Sequence, residues 1–119
     1  MMKLNHLNLV VTDVAAAIRF FEDYFGFTCS EVKGDNLIAI LRNDDDFTLV
    51  VMTSKEEQAY PKAFHLGFMQ ETEAEVRAVY DQLKAGGIPV GQEPRSIRGG
   101  YGFYFYFDGI MIEVGLAES

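Results

Sequence analysis

The pattern of hydrophobic and polar positions in the first half of the chain predicts one strand, one helix and three further strands. Residues 4–11 alternate as in a strand, and apolar residues then recur every three or four positions over Val14–Phe25, as in a helix with one buried side. Thr12 and Asp13 offer an N-terminal cap for this helix, and Gly26 ends it. The next strands are expected at residues 27–33, 37–41 and 47–52.

The second half of the chain repeats this order. Residues 63–69 predict a strand, and Glu73–Ala85 predicts a helix that begins with a capping box of Thr72 and Glu75. Two glycines follow the helix and end it. The remaining strands are expected at residues 88–92, 102–107 and 109–115, with a glycine-rich loop between the first two.

The repeat predicts an α+β fold of two tandem β-α-β-β-β units within a single domain, residues 1–119. The first unit covers residues 3–53, a polar linker covers 54–61, and the second unit covers 62–116. We expect the two units to form a curled mixed sheet that lines a cavity. A chain of 119 residues is long enough for one compact core and too short for two ordinary domains.

A single acidic residue, Glu113, interrupts the apolar last strand. A buried carboxylate is costly unless it is paired, protonated or bound to a metal. Strand alternation places Glu113 on the side away from the helix, together with His65 on residues 63–69 and His6 on the first strand. Two histidines and one carboxylate form a common ligand set for Fe, Mn, Ni or Zn. The alternative is a hydrogen bond or ion pair between Glu113 and a histidine, without metal.

Composition and charge exclude several classes of function. The net charge of −8 and the absence of a cluster of basic residues argue against nucleic acid as a partner. No apolar run is long enough to span a membrane, and the N-terminus lacks the features of a signal peptide, so we expect a cytoplasmic protein. The single cysteine, Cys29, suits a reducing compartment and is interpreted as a small strand residue.

Three stretches of sequence together resemble the vicinal oxygen chelate superfamily of glyoxalases, bleomycin-resistance proteins and extradiol dioxygenases. They are the opening NHLNLVVTDVAAAIRFFEDYFGF, the strand that contains His65, and the closing FYFYFDGIMIEV. The resemblance covers essentially the whole chain and implies a glyoxalase-like fold, a small-molecule substrate and a homodimer. Whether the site would form within one chain or across the dimer stays open.

The resemblance also implies where a metal would bind. Metal-dependent members take their ligands from the first and last strands of each half, which implies His6, His65 and Glu113 here. The remaining position falls on Val50, or on Val51 if the two hairpins differ by one residue, and neither side chain binds metal. This departs from the four protein ligands of glyoxalase I and is closer to the three ligands of extradiol dioxygenases and fosfomycin-modifying thiol transferases.

Other residues are candidates for substrate binding or catalysis. An arginine can bind a carboxylate or phosphonate through two hydrogen bonds, and a tyrosine can donate a proton. Arg98 and Tyr104 are the catalytic candidates, with Tyr106 as the alternative to Tyr104, and the two arginines can equally be solvated loop residues. Largely apolar positions near the expected metal ligands, one loop arginine and one further tyrosine complete the predicted substrate-binding set: Asn8, Val50, Met52, Met69, Arg95 and Tyr101.

Three functional hypotheses follow. The first is a divalent-metal-dependent enzyme that chelates adjacent oxygens of a small substrate, as a dioxygenase, a thiol transferase or a glyoxalase-like lyase or isomerase. The second is a metal-free dimer that sequesters a cationic drug in an acidic aromatic groove, as the resemblance to bleomycin-resistance proteins implies. The third is a metal-free protein-interaction domain. The two histidines and Glu113 favour the first hypothesis, because sequestration needs no metal ligands.

Overall fold

The computed structural model of the chain describes residues 2–56, 59–97 and 100–117. The chain divides into two compact units, Met1–Gln58 and Ala59–Ser119. Each unit has one strand, one helix and three further strands, in that order. This confirms the tandem β-α-β-β-β organisation, while the grouping of both units into one domain stays a prediction.

The first unit is a four-stranded mixed sheet with one helix against it. The sheet has the order β1-β4-β3-β2, and β1 pairs with β4 in parallel while the other neighbours are antiparallel. Helix α1 packs against β2, β3 and β4. The elements are β1 (His6–Val10), α1 (Val14–Phe25), β2 (Thr28–Lys33), β3 (Ile38–Arg42) and β4 (Thr48–Met52).

Helix α1 has the bounds that its sequence predicts, because both of its ends carry a capping residue. The Asp13 side chain accepts a hydrogen bond from the Ala16 backbone N–H at 3.0 Å. At the other end Gly26 adopts a left-handed conformation, with φ of 72°, which lets the chain turn back toward β2. The buried side of the helix supplies Phe20 and Phe21 to the core of this unit.

The second unit has the same topology. Its sheet has the order β5-β8-β7-β6, again with the first and last strands parallel and the other neighbours antiparallel. Helix α2 packs against β5, β7 and β8, and the predicted capping box of Thr72 and Glu75 is formed. The elements are β5 (His65–Gln70), α2 (Glu73–Ala85), β6 (Arg95–Ile97), β7 (Gly100–Phe107) and β8 (Ile110–Leu116).

One predicted strand is wrong. Residues 88–92 form no strand, and β6 lies at Arg95–Ile97, which the sequence pattern had assigned to a loop. Two features of the sequence explain the difference. The Ile88 N–H donates to the Leu83 carbonyl at 2.9 Å and so belongs to the end of α2, and Pro89 has no N–H to donate to a neighbouring strand. Pairing with β7 therefore begins only after Pro94.

Strand β8 shows how each sheet separates its two faces. Ile110, Ile112 and Val114 are completely buried on the face that α2 covers. The alternate residues Met111 and Glu113 are half-buried on the other face. The alternation predicted for the last strand is therefore confirmed, and Glu113 lies on the face that is free of the helix.

Gly102 marks a close approach between β7 and β8. A methyl group built on Gly102 would lie 2.4 Å from the Val114 carbonyl oxygen and 2.8 Å from the Gly115 Cα. We expect Gly102→Ala to lower the free energy of unfolding by about 1–3 kcal/mol, the usual cost of an overpacked interior. Urea denaturation measures this change. Gly91→Ala is the matched control, because a methyl group there meets nothing within 4 Å, and an equal loss in both variants would contradict the prediction.

Candidate functional site

The second sheet brings His65 and Glu113 together on its helix-free face. His65 on β5 pairs with Met111 on β8, and two residues further along Gly67 pairs with Glu113. Because Gly67 has no side chain, the position beside Glu113 on β5 is open. The imidazole of His65 and the carboxylate of Glu113 approach each other on this face, with Nε2 and Oε1 3.4 Å apart.

The backbone fixes which nitrogen of His65 faces Glu113. Its Nδ1 lies 2.9 Å from the carbonyl oxygen of Ala63. Since a carbonyl only accepts, Nδ1 carries a proton in this hydrogen bond, and Nε2 is the nitrogen left to face Glu113. A protonated ring would donate Nε2–H to the carboxylate oxygen Oε1. In a neutral ring Nε2 presents a lone pair, and a cation can then be shared by both atoms.

The spacing of these two atoms fits a shared metal ion. With ligand bonds of about 2.1 Å, a metal at right-angled or tetrahedral geometry keeps two donors roughly 3.0–3.4 Å apart. The observed 3.4 Å lies at the upper end of that range. The contact of Nδ1 with a backbone carbonyl is also the kind of outer hydrogen bond that orients metal-binding histidines. The pair therefore supplies a suitable donor set for a divalent metal.

The first sheet has the equivalent positions without the carboxylate. Here Asn8, two residues after His6, pairs with Val50, as Gly67 pairs with Glu113. The register therefore makes Val50 the counterpart of Glu113, which excludes the alternative alignment on Val51. Val50 is 7% exposed, and the Asn8 amide donates to the Met52 sulfur at 3.2 Å. His6 itself lies on β1 and is exposed.

Tyr104 is the aromatic residue next to Glu113. It pairs with Glu113 across β7 and β8, and its ring meets the His65 ring edge to face with the centroids 6.1 Å apart. Tyr106 pairs instead with Met111 and is 59% exposed. Of the two tyrosines that the sequence left as alternatives, Tyr104 is therefore the one adjacent to the His65–Glu113 pair.

The remaining predicted residues lie in different places relative to Glu113. Arg95 on β6 pairs with Gly102, which places it on the same face as Glu113, and its side chain is exposed. Tyr101 lies on the opposite face of β7, which it shares with Phe103, so the fold does not bring it to Glu113. Arg98 lies outside the described residues. Met69 is 46% exposed on the Glu113 face.

Among the described residues, no group of three or more His, Cys, Asp or Glu side chains is gathered closely enough to hold a metal ion. Within the same residues, no helix has the length and apolar character needed to cross a membrane. His65 and Glu113 are thus two potential donors that the described residues bring together, and metal binding itself stays a prediction.

Comparisons with known proteins agree with this fold. The family model described as Glyoxalase/Bleomycin resistance protein/Dioxygenase superfamily matches residues 3–114. The chain is similar to the structure of a possible glyoxalase from Bacillus cereus, with 44% identity, a TM-score of 0.85, and coverage of 97% of this chain and 99% of that one. No curated protein matches.

Two more distant structures share the fold alone. One is FosX, a fosfomycin resistance protein from Listeria monocytogenes, with 22% identity, a TM-score of 0.79, and coverage of 99% of this chain and 93% of that one. The other is a glyoxalase/dioxygenase from Nostoc punctiforme, with 24% identity, a TM-score of 0.76, and coverage of 98% and 92%.

The position of Glu113 predicts a conflict between stability and function. Its neighbours on β8 are apolar, and an acidic residue is a poor strand former. We expect Glu113→Met to raise the free energy of unfolding by about 0.5–1 kcal/mol, as substitutions at functional sites often do. Urea denaturation without added metal tests this. A loss of stability in this variant and in the isosteric Glu113→Gln would instead show that the pair with His65 is structural.

Proposed function

The chain belongs to the Glyoxalase/Bleomycin resistance protein/Dioxygenase superfamily, and on that premise we propose that it is a divalent-metal-dependent enzyme acting on a small substrate with adjacent oxygens. One observation carries the proposal. The Nε2 atom of His65 lies 3.4 Å from the Glu113 carboxylate, while Nδ1 is held by the Ala63 carbonyl. The two facing atoms can share a divalent ion such as Fe, Mn, Ni or Zn, and the metal assay below separates that role from a His–Glu ion pair.

We propose His65, Glu113 and His6 as the three protein ligands. His6 enters through the repeat, since it occupies in the first sheet the register position that His65 occupies in the second. Val50 takes the place of a fourth ligand and leaves that position without a donor atom. A bound divalent metal would supply Lewis-acid stabilisation of negative charge at the substrate oxygens.

Tyr104 is proposed as the residue that moves a proton. Its place beside Glu113 on the neighbouring strand, and its ring contact with His65, put it next to the proposed metal ligands. The side chain is 36% exposed, so a bound substrate can reach it. A phenol so placed can donate to a developing alkoxide or accept from a substrate hydroxyl.

Arg95 is proposed to bind an anionic group of the substrate. It projects from β6 on the same face as Glu113, separated from β8 by the width of β7. The residues that pair between them, Gly102 and Gly115, have no side chains of their own on that face. A guanidinium there can bind a carboxylate or phosphonate with two hydrogen bonds while the other end of the ligand lies near Glu113.

Metal analysis tests the proposed function directly. We expect protein purified without chelator and supplied with Mn²⁺, Ni²⁺, Zn²⁺ or anaerobic Fe²⁺ to bind one equivalent per chain. His6→Ala, His65→Ala and Glu113→Ala should each weaken binding by at least about 100-fold, since even an outer-shell change costs about 10–100-fold. Isothermal titration calorimetry measures the affinity, and elemental analysis measures the stoichiometry.

A strand carboxylate outside the proposed site serves as the control for these variants. Glu31 on β2 is exposed and lies 3.8 Å from Lys33. Glu31→Ala should therefore leave metal affinity unchanged. If the wild-type protein binds no stoichiometric metal under replete conditions, or if the three ligand variants bind like Glu31→Ala, the enzyme proposal fails.

A second candidate function rests on the exposed apolar side chains of the same face. Met69, Tyr104 and Tyr106 are each more than a third exposed, which suits the sequestration of an aromatic or cationic compound without metal. The acidic charge of −8 favours a cationic ligand as well. This candidate differs from the enzyme in having no need of Glu113 as a ligand.

A thermal-shift screen separates the two candidates. We expect diols, oxoacids, thiol adducts and fosfomycin to include compounds that raise the melting temperature of the metal-loaded protein, because a ligand of the native state stabilises it. For an anionic ligand, Arg95→Gln should reduce the shift, and Glu113→Ala should abolish it. A shift from a cationic drug that is the same with and without metal, and in Glu113→Ala, would favour sequestration instead.

A further inference from the structure

Met69 and the Glu113 carboxylate border the same space, which three glycines leave on the helix-free face of the second sheet. On the helix-free face, Met69 pairs with Gly115, which pairs in turn with Gly102, and Gly67 lies two residues before Met69. None of these three neighbours presents a side chain. The long side chain of Met69 therefore has room to lie flat over the sheet.

Distances from the two nearest glycines show how Met69 uses this space. A methyl group built on Gly67 would lie 2.9 Å from the Met69 Cε, and one built on Gly115 would lie 3.4 Å from the Met69 sulfur. The sulfur of Met69 thus lies over Gly115, and its terminal methyl group lies over Gly67. Gly67 pairs with Glu113 across β5 and β8, so the end of the Met69 side chain fills the open position beside the carboxylate.

The two carboxylate oxygens of Glu113 have different neighbours. Its Oε1 faces His65 Nε2 at 3.4 Å. A methyl group built on Gly115 would lie 3.5 Å from Oε2 and 3.4 Å from the Met69 sulfur. Oε1 therefore faces His65, while Oε2 borders the space above Gly115 that the Met69 sulfur also borders. A thioether is only a weak acceptor and competes little for a proton or a cation.

We infer that Met69 is a positioning residue, which confines Glu113 to the rotamer in which Oε1 faces His65. A glutamate with no packing neighbour would sample several rotamers, and ordering it at each binding event would cost affinity. Packing by Met69 removes most of that cost in advance. The inference rests on the proposed function in taking His65 and Glu113 as metal ligands, and it gives Met69 a role distinct from contact with substrate.

Divalent-metal affinity tests the inference with metal ions alone. Met69→Ala should weaken binding of Zn²⁺ or Mn²⁺ by about 3- to 10-fold, as expected when one of a few carboxylate rotamers is no longer favoured. Met69→Leu, which keeps most of the packing volume, should restore affinity to within about 2-fold. Val32→Ala, which truncates an exposed apolar strand residue in the first unit, should bind like the wild type.

Crystal structures of the metal-free protein provide a second readout that does not depend on the proposed function. In Met69→Ala we expect Glu113 to occupy more than one rotamer, whereas the wild type and Met69→Leu should keep Oε1 beside His65 Nε2. A single unchanged Glu113 rotamer in Met69→Ala, or unaltered metal affinity, overturns the inference. Failure of the wild type to bind metal defeats the proposed function, and the rotamer comparison still decides whether Met69 positions Glu113.

Discussion

The parallel pairing of the first and last strands in each unit is the constraint on which the rest of the structure depends. In the second unit, β8 lies between β5 and β7, so a residue of β8 is flanked on both sides. This pairing brings His65 and Glu113, which are far apart in the sequence, to within 3.4 Å of each other. Alternation along β8 then separates a core face, made of fully buried Ile and Val residues, from a face available for chemistry.

The two units show how one topology can present different side chains at equivalent positions. Their sheets have the same strand order and equivalent register, and each places a histidine at the start of its first strand. At the position of Glu113, however, the first sheet has the nearly buried Val50. The fold alone therefore does not determine the donor set. A single residue on the last strand decides whether a unit can supply a carboxylate, at a cost in strand propensity that an apolar residue avoids.

The sequence predicted those parts of the fold whose signals are local. Both helices have their predicted bounds because Asp13, Gly26 and the capping box of Thr72 and Glu75 mark their ends within a few residues. Strand alternation also placed His65 and Glu113 on one face. Strand β6 was missed because its three residues follow Pro94 in a glycine-rich stretch, where a short strand is defined only by its pairing with β7.

The details of the site were harder to predict, because they depend on direction and contact. Tyr101 is a predicted substrate-binding residue, but it shares the helix-facing side of β7 with Phe103. The spacing of two residues between them indicates this shared face. The hydrogen bond from His65 Nδ1 to the Ala63 carbonyl could not be predicted from the sequence, because every residue has a backbone carbonyl. It nevertheless decides which nitrogen faces Glu113.

The glycines of the second sheet explain why its face has open space where that of the first does not. Gly67, Gly102 and Gly115 correspond in register to Asn8, Ile38 and Met52, all of which carry side chains. In the first sheet the Asn8 amide donates a hydrogen bond to the Met52 sulfur, and these two side chains occupy the space. In the second sheet the same space is available to Met69 and to the carboxylate beside it. The three glycines are therefore as much a part of the candidate site as Glu113 itself, because side chains at their positions would compete with Met69 and the carboxylate for the same space.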